Sequence, residues 1–358
     1  MKIDRVHFYV EDAKMWRDWF VHHLGFQSVA DRSNSFHTCT EVVKSGAVCF
    51  FLSSPLLPTS PVAEFLRNYP PGVADVAFAV EDVEAAIALA QKHGATILQP
   101  IQERQVGTAF IKCGKIAAWG GLTHTLIERS FVNSHPSLVF DKGQMTNDNT
   151  FTAIDHVVLN VAVGELENAV AWYEKILDFQ PQQAFKIKTN RSALHSQVMV
   201  SRNGSVQLPI NEPASSNSQI QEFLDVNRGP GIQHIALRTT NLVSAIAKFR
   251  ASGLSLLSVP QTYYTQLKQR PGLPLSLLEI EAIAQQEILV DWQEYTSLEG
   301  GNTAPLLLQI FTQPIFEQPT FFFEFIERRF QAKGFGEGNF RALFEAIESE
   351  QIKRGTLQ

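Results

Sequence analysis

The sequence predicts an α+β protein of two domains, each made of paired βαβββ modules whose sheets curl open, with a C-terminal helix over the mouth. Three observations support this prediction. The chain has 358 residues, 44% of them hydrophobic, which is more than one core usually serves. Its two halves carry similar segments in the same order. A stretch rich in polar and turn residues separates the halves.

The first module of each half is recognisable by its opening strand and helix. IDRVHFYV at 3–10 is similar to IDHVVLNV at 154–161. Each run leads into an aromatic-rich helical segment, and these segments close similarly, with WFVHHLGF at 19–26 and WYEKILDF at 172–179. The similarity predicts the same strand and helix at the start of both domains.

The second modules match as well. GVADVAFAVEDVEAAIALAQKHGATIL from residue 72 is similar to GIQHIALRTTNLVSAIAKFRASGLSLL from residue 231. Both patterns predict a strand, a polar break, an amphipathic helix ended near Gly94 or Gly253, and another strand. Two such modules side by side form a cup.

These patterns place an N-terminal domain at 1–133, a linker at 134–151 and a C-terminal domain at 152–358. Beyond GFGEG at 334–338, a further helix is expected with Asn339 as N-cap and Gly355 past its end. This helix has an apolar stripe, which is expected to pack against the open mouth of the cup and not to bind a partner protein. The stripe consists of Phe340, Leu343, Phe344 and Ile347.

Charge and composition make some classes of function improbable for this chain. The net charge is −6 and no block of five or six basic residues occurs, so nucleic-acid binding is not expected. No window holds the roughly 18 consecutive apolar residues of a membrane helix, and the N-terminus lacks a signal-peptide core, so we expect a cytoplasmic protein without membrane contact. Cys39, Cys49 and Cys113 have no CxxC spacing and are expected to be reduced structural residues.

Two histidines occupy equivalent strands. Alternation predicts that Ile154, His156 and Val158 share one face, as do Ile232, His234 and Ala236. A single buried imidazole is more often bonded to a backbone carbonyl than to a metal, but two at related positions could point at one spot. The aligned residues of the first half, Arg5 and Asp75, make no comparable pair.

A carboxylate could complete the set. PLLLQIFT at 305–312 and TFFFEFIERR at 320–329 indicate a hairpin, and Glu324 lies there among phenylalanines. A buried carboxylate needs a positive partner, which would be either Arg328 or Arg329, or a metal; the alternative is that Glu324 lies at the rim and stays hydrated. Two histidines and one carboxylate are typical of non-haem Fe(II) oxygenases, whereas closed structural zinc would need a fourth ligand.

The second half resembles the 4-hydroxyphenylpyruvate dioxygenase family of the vicinal oxygen chelate (glyoxalase-like) superfamily over about 152–354. The resemblance rests on several ordered motifs, while the first 130 residues match only as degenerate modules, which fits a family whose N-terminal domain lacks the metal. The motifs are IDHVVLNV, LPINEP at 208–213, SQIQEFLDVNRGPGIQHIAL at 218–237, LSVPQTYY at 257–264, LLLQIFTQP at 306–314 and KGFGEGNFRALFEAIE at 333–348.

This resemblance implies one Fe(II) per subunit, held by His156, His234 and Glu324. The family's substrate-binding positions carry over to seven residues, of which Gln219, Gln309 and Phe335 are taken as catalytic groups that orient the substrate. The seven are Ser196, Asn211, Gln219, Gln309, Phe311, Phe335 and Asn339.

The activity implied is conversion of 4-hydroxyphenylpyruvate and O₂ to homogentisate and CO₂ by decarboxylation, ring hydroxylation and side-chain migration. A homodimer or homotetramer is implied as well. The 4-hydroxymandelate synthases are a rival with the same fold and iron site, against which Pro209, Asn211 and Phe335 favour the dioxygenase. A metal-free binding protein of the same superfamily is a rival of another class.

Overall fold

The computed structural model describes residues 1–29, 35–106, 109–131, 150–189, 191–292 and 304–356. The helices are α1 Ala13–Leu24, α2 Pro61–Asn68, α3 Val83–Lys92, α4 Leu166–Leu177, α5 Gln219–Asn227, α6 Leu242–Ala251, α7 Gln261–Leu267, α8 Leu277–Gln285 and α9 Glu337–Arg354. The strands of the first half are β1 Lys2–Tyr9, β2 Gln27–Val29, β3 Thr38–Ser45, β4 Val48–Pro55, β5 Gly72–Ala79, β6 Ile97–Val106, β7 Ala109–Ala117 and β8 Thr123–Phe131. Those of the second half are β9 Ala153–Asn160, β10 Phe179–Lys188, β11 Ala193–Ser201, β12 Gln207–Pro213, β13 Gly231–Arg238, β14 Leu289–Trp292, β15 Leu306–Phe311 and β16 Phe322–Arg329.

The strands form two eight-stranded sheets with the same topology. The first has the order β2-β3-β4-β1-β5-β8-β7-β6 and the second the order β10-β11-β12-β9-β13-β16-β15-β14. In each sheet the two modules meet through an antiparallel pair, β1 with β5 and β9 with β13. The α+β prediction of paired βαβββ modules is confirmed, as is the hairpin of β15 and β16. The strand predicted directly after Gly253 is wrong, because α7 and α8 follow α6 and the next strand is β14.

A shared core joins the halves. Phe8 and Phe20 of the first half pack against Phe323 of β16, with ring centroids 6.4 and 5.8 Å apart. On its other side, Phe323 stacks with Phe325, which in turn stacks with Phe151 at 5.7 Å. Because these phenylalanines are almost fully buried, they stabilise the contact between the two sheets as well as the hairpin that carries Glu324.

Matching acidic residues begin two of the crossover helices. Glu128 accepts a hydrogen bond from the backbone N–H of Val83 at the start of α3, at 3.0 Å. Glu327 does the same for Leu242 at the start of α6, at 2.7 Å. Free N–H groups at a helix N-terminus favour a carboxylate. Glu327 therefore has a structural role, and Glu324 is the carboxylate of β16 that remains for the site.

Two β-bulges in β9 and β13 correct the predicted strand faces. The pairing skips Asp155 between His156 and Ile154, and it skips Gln233 between Ile232 and His234. A bulge inserts one residue and breaks the alternation of side chains. Ile154 and Ile232 consequently pack with the hydrophobic core instead of sharing a face with the histidines.

The C-terminal helix is longer at its start than predicted. It begins at Glu337 with Gly336 as N-cap, so the expectation that Asn339 is the N-cap is wrong. The end at Gly355, which is left-handed with φ 77°, agrees with the prediction. Residues 134–149 of the predicted linker at 134–151 lie outside the described residues, so the domain boundaries stay a prediction. No helix in the described part of the chain is long and apolar enough to cross a bilayer.

Candidate metal centre

Three neighbouring strands bring His156, His234 and Glu324 together. They lie on β9, β13 and β16, which are adjacent in the second sheet. One potential ligand atom from each residue falls within 4.8 Å of the others, and all three side chains are buried. Among the described residues, this is the one group of three or more histidine, cysteine and acidic side chains with such spacing. The set predicted from the sequence is therefore assembled at one point.

The bulge at Asp155 places this carboxylate beside the ring of His156. The Nδ1 of His156 lies 3.1 Å from Asp155 Oδ1, and because a carboxylate only accepts, the ring donates there through Nδ1–H. This leaves Nε2 directed at Glu324. In metal sites, an imidazole that binds the metal through one nitrogen is commonly oriented by a carboxylate at the other nitrogen. The contact with Asp155 therefore suits His156 to be a metal ligand through Nε2.

Arg328 and Arg238 pair with Asp155 and not with Glu324. Arg328 donates to both oxygens of Asp155, at 2.8 and 2.7 Å. Arg238 donates to Oδ2 at 2.8 Å through Nε. Arg329 pairs with Glu327 at 2.6 Å. The alternative that an arginine neutralises Glu324 directly is therefore wrong for the described residues.

Glu324 is instead oriented by an amide chain. Gln309 Nε2 donates to Glu324 Oε1 at 2.8 Å, and Asn339 Nδ2 donates to Gln309 Oε1 at 2.8 Å. Gly336 makes room for this chain, because a Cβ there would lie 2.6 Å from Gln309 Oε1. The two amides leave Glu324 Oε2 facing the histidines.

The electrostatics of the group indicate a site for a cation. Glu324 Oε2 lies 3.1 Å from His156 Nε2 and 3.7 Å from His234 Nε2. Burial lowers the pKa of His156, but Glu324 and Asp155 outweigh it and raise this pKa to about 9. Burial, followed by repulsion from His156, holds the pKa of His234 well below its usual value. A divalent cation between these atoms would replace the proton on His156 and use the lone pair of His234, so the residues fit a metal.

Aromatic rings enclose the group. Phe335 stands edge-on to His156 with ring centroids 5.0 Å apart, between glycines 334 and 336 that both have positive φ. Phe322 stacks on His234 at 4.7 Å, and Phe311 meets Phe322 at 6.3 Å. Phe322 was not singled out from the sequence, where it is one of three consecutive phenylalanines. Its register opposite His234 is what places it here.

A row of unpaired polar atoms lies on the strands beside His156. Ser196, Asn211 and Asn160 are paired in register across β11, β12 and β9. Asn211 donates to Asn160 at 3.3 Å, yet Ser196 Oγ, Asn211 Oδ1 and Asn160 Nδ2 are buried without a hydrogen-bond partner. Buried polar groups are usually satisfied, so these atoms indicate a ligand position. Sequence reasoning missed Asn160, although its spacing of four from His156 puts it on the same strand face.

Gln219 lies on α5 and not on one of the three strands that carry the triad. It is the first residue of α5 and lines a recess together with Gln233 and Phe322. Gln233 is the bulged residue of β13, and its Oε1 lies 3.4 Å from His234 Nδ1. Gln233 was also missed, because strict alternation predicts that it faces away from His234.

Comparison with known proteins agrees with this geometry. The family model described as the Glyoxalase/Bleomycin resistance protein/Dioxygenase superfamily matches residues 2–114 and 153–270. The chain belongs to this superfamily, which covers both halves of the duplicated fold.

Similar proteins indicate which family within the superfamily the chain belongs to. A 4-hydroxyphenylpyruvate dioxygenase of Coccidioides posadasii is 38% identical over 99% of this chain and 94% of its own length. One of Caenorhabditis briggsae is 38% identical over 99% and 93%. Among solved structures, a triple mutant of 4-hydroxymandelate synthase from Streptomyces coelicolor superposes with a TM-score of 0.83 and 25% identity over 98% of each chain. Within the superfamily, this chain is a member of the 4-hydroxyphenylpyruvate dioxygenase family.

Proposed function

We propose that the protein converts 4-hydroxyphenylpyruvate and O₂ to homogentisate and CO₂, with one Fe(II) per subunit held by His156, His234 and Glu324. The observation that carries the proposal is this buried triad, with its ligand atoms within 4.8 Å, in a chain of this family. Fe(II) bound by two imidazoles and one carboxylate would supply the redox activation of dioxygen and leave coordination positions for a 2-oxo acid.

The protein's residues would hold the donors in position. Gln309 and Asn339 fix one oxygen of Glu324, and Asp155 fixes the ring of His156. Deviations of a few tenths of an ångström are costly for a ligand set, so these contacts reduce the reorganisation needed on metal binding.

The aromatic rings would bind the substrate ring. Phe335 and Phe311 present apolar surfaces near the triad, with Phe322 between Phe311 and His234. A flat phenol ring is held by edge and face contacts with such side chains, and each contact also displaces water. Because water intercepts reactive oxidants, this exclusion protects the reaction.

Polar ends of the substrate would meet the unpaired amide and hydroxyl groups. Ser196 Oγ and Asn160 Nδ2 can donate to a phenol or carboxylate oxygen, while Asn211 Oδ1 can accept from a phenol O–H. Gln219, which lines a recess with Gln233 and Phe322, would contact another polar group of the substrate. These groups orient the substrate and need not exchange a proton with it.

The helix α9 would close the site. Asn339 and Leu343 of this helix are buried, and its far end is fixed by Arg354, which donates to Glu222 of α5 at 2.8 Å. Glu348 accepts from Thr189 at 2.6 Å near the end of β10. The helix is thus held along most of its length, as a lid over the cup requires.

Product analysis tests the proposal. The protein is incubated with Fe(II), ascorbate, O₂ and 4-hydroxyphenylpyruvate, and homogentisate is separated from 4-hydroxymandelate. Homogentisate as the main product is expected. Because one structural neighbour is a mutant of 4-hydroxymandelate synthase, the assay also looks for 4-hydroxymandelate, and this as the main product would establish the synthase activity instead.

A metal-free binding protein is distinguished by anaerobic Fe(II) titration. One equivalent should bind to the wild type, and binding should be lost in His234→Ala and in Glu324→Ala. Absence of stoichiometric binding would contradict the proposal. A homodimer or homotetramer belongs to the same proposal and is tested by sedimentation equilibrium.

A further inference from the structure

The first sheet has a cavity of its own at the site related to the metal centre. It is about 310 Å³ in volume and is lined by residues of β1, β3, β4, β6, β7 and β8. Among its lining residues, Arg5 corresponds by register to His156, and the Asp4–Arg129 pair corresponds to Asp155–Arg328. Asp4 is also the skipped residue of a β-bulge, as Asp155 is. The duplication has therefore preserved the cup and its supporting pair in both halves.

The metal group itself has been replaced. By register, Asp75 stands at the position of His234 and Thr125 at that of Glu324. Asp75 accepts from Thr123 at 2.7 Å and from Thr125 at 2.9 Å, and Lys115 Nζ lies 3.6 Å away. Because the hydroxyls and the ammonium already satisfy this carboxylate, the position does not call for a metal ion.

The lining of the cavity in the first sheet is mainly positively charged. Its lining includes four cationic side chains, Arg5, Lys44, Arg104 and Arg129, and one acidic side chain, Asp4. Asp4 is shared between Arg5 at 2.9 Å and Arg129 at 2.6 Å. Lys44 and Arg104 form no ion pair with any part of the chain that the structure describes. Cations gathered in a concave surface raise the local concentration of anions.

Part of the wall is apolar. Phe51, Ile111 and Ile127 line the cavity, and the guanidinium of Arg5 lies 4.8 Å above the centre of the Phe51 ring. A volume near 300 Å³ is at the lower end of the range for small-molecule sites. An apolar wall with cations at the mouth suits a molecule that has one ring and one negatively charged group.

We propose that the cup of the first sheet is a second, metal-free binding site for a small organic anion, an aromatic carboxylate of one ring. The carboxylate would lie between Lys44 and Arg104, with the ring against Phe51 and Ile111. This site is separate from the metal centre and does not depend on the function proposed for that centre.

The test uses 4-fluorobenzoate as probe and ¹⁹F NMR of the Fe(II)-loaded protein. Wild type should show saturable binding that weakens as NaCl is raised, because salt screens exposed charges. Binding should weaken about tenfold in the Lys44→Gln, Arg104→Gln double variant, which loses the two exposed cations proposed to hold the carboxylate of the probe. Both side chains are exposed, so the variant should fold normally.

A matched control removes the same charge elsewhere. Lys14→Gln with Lys92→Gln changes two exposed helix lysines outside the cavity and should leave probe affinity unchanged. The inference is overturned if millimolar probe shows no saturable binding, or if the cavity variant and the control bind the probe as the wild type does. Equal loss of affinity in both double variants would also overturn it, since net charge alone would then explain binding.

Discussion

The buried ion pair of Asp155 with Arg328 predicts a large loss of stability when Asp155 is neutralised. The equivalent pair in the first sheet, Asp4 with Arg129, provides a matched control. Asp155→Asn keeps the size of the side chain but removes its charge. The side chain of Asp155 is fully buried and that of Arg328 is 8% exposed, so the change leaves a buried guanidinium without a counter-ion. Breaking a buried pair in this way costs about 3–5 kcal/mol.

The related pair in the first sheet should behave differently. Asp4→Asn makes the same chemical change, but its two partners, Arg129 and Arg5, are 37% and 18% exposed and can be solvated. An exposed pair contributes about 1 kcal/mol or less. The difference in side-chain exposure therefore predicts that Asp155→Asn lowers the free energy of unfolding by several kcal/mol more than Asp4→Asn does.

Urea unfolding followed by fluorescence and circular dichroism measures both variants against the wild type. A second readout is Fe(II) affinity, which Asp155→Asn should lower by roughly 10–100-fold through the ring of His156, while Asp4→Asn should leave it unchanged. The reasoning is refuted if the two variants are destabilised equally, or if Asp155→Asn costs less than about 1 kcal/mol.

Three further predictions concern the site and the contact between the halves. Gly336→Ala should lower the free energy of unfolding by about 2 kcal/mol, measured in urea, because φ is 68° and the new Cβ would meet Gln309 and Leu307; an unchanged midpoint would contradict this. Deleting residues 339–358 should abolish homogentisate formation while anaerobic titration still finds bound Fe(II), and turnover at the wild-type rate would exclude the lid. His124 is buried against Tyr173 at 3.0 Å, and burial lowers its pKa to about 4. The unfolded chain, with a histidine pKa near 6.5, binds the extra proton between these values, so about 3 kcal/mol of stability present above pH 6.5 should be lost as the pH falls to about 4. Urea midpoints from pH 7 to 4 should show a smaller loss for His124→Asn, and equal losses would contradict the assignment.

The sequence predicted the repeated module and the three candidate ligands for physical reasons. Strand and helix periodicities are local, so IDHVVLN and GIQHIAL indicate strands without knowledge of their neighbours. Equivalent places in two similar modules must lie close together when the modules pair. This is why the sequence alone indicates that His156 and His234 lie at one point.

Bulges and pairings could not be predicted in the same way. Asp155 and Gln233 are directed toward the histidines because β9 and β13 slip by one residue against each other, and that slip depends on the packing of both strands. The partner of Glu324 was equally open, since the sequence was compatible with Arg328, Arg329 or a metal. Only the register of β15 and β16 makes Gln309 the partner and leaves Arg328 to Asp155.

The amino-acid sequence by itself determined the fold class, the duplication and the residue types able to bind a metal, because these follow from periodicity and side-chain chemistry. The tertiary structure alone decided which groups orient the ligands and which buried polar atoms stay unpaired. It also showed that a charged cavity remains in the first sheet. These features depend on contacts between strands far apart in the chain, where a shift of one residue reverses the direction of a side chain.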